Sequence, residues 1–165
     1  MKTKLPAVLV AMLLLTAPVP SASAQPPSAG FPLAFLRDID VEIAGLLDAY
    51  LEAVPECPVR ADTPVRPWVL DVALLRVGGA IETAAGLDVS SFGDPFPVTE
   101  WEDYLLTAAD LRDVFRAISE TCHSDSVPDS LTSIGLEGDL LRADARWREA
   151  ESRLYERLAE EGYHE

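Results

Sequence analysis

The sequence predicts an all-α protein, an antiparallel four-helix bundle of up-down-up-down topology. Two observations predict it. Apolar residues recur at three- and four-residue spacing in four separate stretches, and no stretch shows the period of two that marks a half-buried strand. Proline- and glycine-bearing segments of roughly ten residues separate the four stretches, so each is one rod between turns.

The chain has 165 residues. It opens with Lys2 and Lys4, an apolar run from Leu5 to Leu15, and a small-residue stretch ending Ala22-Ser23-Ala24. That order is the charged, apolar and cleavage-site pattern of a secretory signal peptide. The run is shorter than the ~20 residues a membrane span needs, so the expectation is a cleaved leader over 1–24. A flexible segment over 25–31, a helical domain over 32–162 and a disordered tail over 163–165 follow. The expected location is secreted or periplasmic, with no membrane span in the mature chain.

The first helix is expected from Pro32 to Val54, with Leu36, Ile39, Ile43, Leu46, Leu47, Tyr50 and Val54 on one stripe and Pro55 ending it. The second runs from Pro67 to about Gly86. It is apolar nearly all round, which predicts deep burial, and Gly78-Gly79-Ala80 predicts close approach of a neighbouring helix. A small ligand against that smooth patch is the alternative. Thr99 and Glu102 have capping-box spacing and predict the start of the third helix. Its inward stripe is Trp101, Tyr104, Leu105, Ala108, Leu111, Phe115, Ile118 and Cys122. The fourth helix begins between Thr132 and Leu136, with a seam of Leu136, Leu140, Ala143, Trp147, Ala150, Leu154 and Leu158, and stops at Gly162.

Both lysines precede Gln25, so eleven arginines face 28 acids beyond it, a net charge of −17. Such a field repels nucleic acid and favours a cationic partner. No lysine after the leader and no asparagine anywhere fit either a GC-rich genome or a halophilic host.

The stretch AISETCHSDS, from Ala117 to Ser126, sets Cys122 beside His123. In an up-down-up-down bundle the ends of helices one and three share a pole, which brings Cys57 to Cys122. They are the only cysteines, and exported thiols are oxidised, so a disulfide is expected. It closes a loop of roughly 65 residues, a stabilisation of about 4 kcal/mol in the chain-entropy model. A haem-attachment motif is excluded because position 119 is serine. A zinc site from His123, Asp125 and Asp129 crowds three ligands onto one short loop and fits poorly. No cofactor or metal is expected.

No nucleophile elbow or glycine-rich phosphate loop occurs. Glu100, Glu102 and Asp103 read as helix-start acids rather than an acid/base site, and Asp88 and Asp94 match no calcium-loop spacing. The candidate interaction surface is the disulfide pole, with Arg60, Arg66, Trp68, His123, Asp125 and Asp129. Arginine and tryptophan are the anchors that interfaces favour. A second candidate is the loop bearing Phe92, Asp94 and Phe96, unless its rings tuck over the bundle end. The function expected is non-enzymatic binding of another protein, as an inhibitor, immunity-type or envelope accessory module. The alternatives are a bundle that holds a small ligand or metal and, with least support, an enzyme using acidic residues. The mass of the exported chain checks the leader and the bridge together. It is expected to correspond to a chain starting at Gln25 and lighter by two hydrogens than the reduced polypeptide.

Overall fold

The computed structural model describes residues 31–53, 69–123 and 130–163. They form four helices, α1 (Phe31–Ala53), α2 (Val69–Ala85), α3 (Val98–Cys122) and α4 (Ser130–Glu160), with a short 3₁₀ turn at Val89–Phe92 between α2 and α3. Among the described residues there is no strand, and no helix is long and apolar enough to cross a membrane.

Consecutive helices pack on one another, α1 on α2, α2 on α3 and α3 on α4. Side-chain pairs fix their directions. Glu100, Asp103 and Asp110 of α3 meet Arg157, Arg153 and Arg146 of α4 in descending order, so these two helices are antiparallel. Asp71 at the start of α2 meets Ser119 near the end of α3, so they too run in opposite senses. Asp40 and Tyr50 of α1 meet Tyr104 and Phe115 of α3 in ascending order, so α1 and α3 run together.

The core is the meeting of the periodic stripes. Leu36, Ile39, Ile43 and Leu46 of α1 are fully buried. So are Tyr104, Ala108, Leu111 and Phe115 of α3 and Leu154 of α4. Every residue of the expected α3 stripe is buried, and from Ala143 to Leu158 so is the α4 seam.

Two local expectations are corrected. The capping box of Thr99 and Glu102 does not form: α3 starts at Val98, Pro97 occupies the boundary, and no side chain caps the helix. The Pro97 carbonyl accepts from the Trp101 amide at 3.0 Å and opens the ladder, which places Thr99 inside the first turn rather than at its edge. The second correction concerns α2. Only one face is buried, through Leu70, Ala73, Val77, Ile81 and Ala84, while Leu75 is 78% exposed. Gly79 faces open space, since a Cβ there meets nothing within 4 Å, and Gly78 neighbours only the Arg112 side chain. The glycines therefore do not mediate close helix contact.

The end of α4 follows the expected stop. Gly162 takes φ +85, its amide donates to Ala159 O, and the Tyr163 amide donates to Leu158 O, the paired bonds of a Schellman cap. Tyr163, expected in the tail, instead packs back on the molecule: its hydroxyl donates to the Phe92 carbonyl at 3.0 Å. His164 and Glu165 lie outside the described residues.

A pair of truncations tests this packing. Leu154→Ala, at a fully buried seam position, is expected to cost about 2–5 kcal/mol in urea unfolding. Leu141→Ala, at a position 72% exposed, is expected to stay within about 0.5 kcal/mol.

Candidate functional site

His123 follows α3 directly, its amide donating to Ser119 O. Its Nε2 lies 2.9 Å from Asp71 Oδ2, and Ser119 Oγ donates to the other oxygen of the same carboxylate. Opposite helix directions bring the first turn of α2 beside the last turn of α3, so the three groups meet. The order matters chemically. A nucleophilic serine must present its hydroxyl to a substrate, but here the hydroxyl is buried against the carboxylate, which stands between serine and imidazole. The Ser119 hydroxyl donates its hydrogen bond to Asp71. The cluster braces α2 against α3.

Other members of the expected pole surface, Cys57, Arg60, Arg66, Trp68, Asp125 and Asp129, lie outside the described residues, and with them the Cys57–Cys122 pairing. Cys122 itself is buried at the end of α3, and among the described residues no cysteine is a free thiol. Among the described residues no group of three histidines, cysteines or acids stands in position to hold a metal ion.

The second loop is placed by its rings. Phe92 is buried, with its ring centroid 4.8 Å from that of Phe96 and 5.8 Å from that of Trp101. Phe96 also meets Tyr163 edge-on at 5.8 Å. Edge-to-face contacts at such distances are favourable beyond area burial. The aromatics thus close the end of the bundle, and only Asp94 of this trio is exposed. Asp88 is occupied too, accepting from the amide and hydroxyl of Ser90 to start the 3₁₀ turn.

A third cluster escaped the sequence reading. The two oxygens of Asp40 in α1 accept from Tyr104 of α3 at 2.6 Å and Tyr155 of α4 at 2.7 Å. Burial, then the Asp40 charge, then the hydrogen bond raise the Tyr104 phenol far above its ordinary range. Tyr155 is raised by burial first and then by the same carboxylate, with Arg37 opposing. Glu151, on the same side of α4, is also raised, by burial and then by Asp40, against the pull of Arg148. A signal was present in the sequence: Asp40 sits four residues after Leu36 and three before Ile43, on the apolar side of α1, where an acid needs donors.

The remaining feature is a groove of about 520 Å³ between α1 and α2. Phe35 and Val41 contribute its apolar wall and Gly79 and Ala80 its smooth α2 side, and its charged groups are two acids, Asp38 and Glu42, and two arginines, Arg37 and Arg76. It is the part of the expected Gly78-Gly79 patch that stays open.

No protein-family model, curated protein or solved structure matches this chain. What the fold and these clusters define is a class, an acidic protein of four packed helices in which Asp40 and Asp71 each accept hydrogen bonds from a neighbouring helix.

The Asp40 cluster generates a stability prediction. Tyr104→Phe removes a buried bond to a carboxylate and is expected to cost about 1–3 kcal/mol in chemical denaturation. Both phenols are raised in the fold, whereas unfolded tyrosine ionises near pH 10, roughly. Their contribution is therefore whole below that pH and is lost as pH climbs toward the folded values. Melting temperature is expected to fall above about pH 10, and to fall less steeply in Tyr104→Phe.

Proposed function

We propose that this protein is an exported helical bundle of up-down-up-down topology that works by binding another protein, without chemistry of its own. An inhibitor, an immunity-type partner or an envelope accessory factor would all act in this way. Export is supported by the charged, apolar and small-residue order of residues 1–24. A Cys57–Cys122 bridge completes the proposal. It is supported by the burial of Cys122 at the end of α3, by the shared direction of α1 and α3, and by the lack of any free thiol among the described residues. A bridge at that pole would hold the ends of two parallel helices and keep the scaffold stiff, which lowers the ordering cost of association.

The observation that carries the binding reading is the α1–α2 groove. It has an apolar wall, a smooth side at Gly79 and Ala80, and both acids and arginines in its lining, a mixture of apolar and charged groups of the kind protein interfaces use. Among the described residues, two polar clusters are engaged internally. Asp71 is shared by Ser119 and His123, and Asp40 by two tyrosines.

One observation favours a second reading, a small-ligand carrier: about 520 Å³ falls within the size range of small-molecule sites. Native mass spectrometry of the protein recovered from its own host's envelope or medium separates the two. A complex with a protein partner in fixed stoichiometry is the expected result. A bound mass of small-molecule size moves the groove to the second reading, and a bare monomer sinks both.

A further inference from the structure

Charge is neutralised unevenly over this molecule. On α3 and α4, Glu100, Asp103, Asp110 and Asp144 each face an arginine. On α1, Asp38, Glu42, Asp48 and Glu52 form no ion pair among the described residues. α1 and α2 together carry seven acids against Arg37 and Arg76 alone.

Three of these four acids share one face. Asp38, Val41, Gly45, Asp48 and Glu52 are all exposed and follow one another at alternating three- and four-residue steps, so they form a single stripe along the solvent side of α1. Val41, which is 67% exposed, belongs both to this stripe and to the groove wall. Across the groove stands Gly79, with no atom within 4 Å of where its Cβ would be, and Leu75 lies one turn away on the same exposed face of α2.

We infer that the α1–α2 groove docks one amphipathic helix of a partner protein, with its apolar face against Val41 and Gly79 and its arginines or lysines over the acids of α1. The inference rests on the binding reading and adds the site and the partner's chemistry. The groove between two packed helices has the relief that a third helix's rows of side chains fill, and an apolar helix face laid into such a groove is a recurring mode of recognition. A glycine at the contact lets the incoming backbone approach closely. Arg37 and Arg76 also line the groove, so the incoming cations belong over the outer stripe of Asp38, Asp48 and Glu52, and the net charge of the whole molecule steers them there. A second copy of this chain would bring an identical acidic stripe to the contact, and juxtaposed like charges disfavour that pairing.

The test uses the oxidised exported chain and two synthetic peptides. One is an amphipathic helix of leucine, alanine and arginine, and the other carries glutamate in place of each arginine. Fluorescence anisotropy at physiological salt is expected to show binding of the arginine peptide alone. Gly79→Leu fills the groove without altering charge. It has room for the new side chain and is expected to melt no lower than wild type, because glycine inside a helix is itself destabilising. It is expected to weaken binding by about tenfold or more, as for residues at the centre of an interface. The double variant Asp38→Arg, Glu42→Arg is expected to do the same. Glu102→Arg with Glu120→Arg changes charge equally on the exposed side of α3 and is expected to stay within about twofold. Equal binding of both peptides, unchanged binding by Gly79→Leu, or an equal loss in the α3 control overturns the inference. So does a dimer in light scattering that Gly79→Leu disperses, which gives the groove to a second copy. A host partner whose capture survives Gly79→Leu sinks the groove but keeps the binding reading; absence of any host protein partner sinks the reading itself.

Discussion

The Asp40 carboxylate is where three helices of this protein are joined. It projects from α1 and receives one phenol from α3 and one from α4. Each bond is charge-assisted and therefore stronger than a neutral one. Loss of either phenol leaves a partly buried carboxylate short of a donor, which costs more than the bond itself contributes. Apolar burial supplies most of the driving force, but it is non-directional. The two phenols set where along α1 its neighbours must stand. The ion pairs along α3 and α4 add register at the surface, where each is worth little energy.

A similar arrangement recurs at the start of α2, where Asp71 takes the Ser119 hydroxyl and faces His123. In both places one acid links helices that are distant in sequence. The acids of the α3–α4 side are largely met by arginines of the same pair of helices. That distribution leaves α1 as the helix whose outward carboxylates are met by solvent, beside the groove that α2 leaves open at Gly79. The structural and the functional accounts thus have one origin: arginines are concentrated on α4, and α1 has a single one.

Much of the fold was legible because helical burial writes a periodic signal. The α3 stripe from Trp101 to Cys122, the α4 seam and the stop at Gly162 are all read from spacing and residue type. The start of α3 was misread because Thr99 and Glu102 have capping-box spacing. Local sequence cannot reveal that the Pro97 carbonyl has already begun the ladder. The close approach expected at Gly78 and Gly79 was misread for a related reason. Small residues permit contact, but whether a neighbour stands there depends on which face of α2 turns inward, and Val77 and Ile81 turn the other one.

The sequence by itself determined four helices, the inward stripes of α3 and α4, and a strongly negative charge. These follow from composition and short-range periodicity. Only the tertiary structure decided that Asp40 is shared by Tyr104 and Tyr155, that Asp71 stands between Ser119 and His123, and that Gly79 lines an open groove. These contacts join residues 48 to 115 positions apart, or depend on how helices face one another. No local pattern carries that information, because it arises when the helices pack.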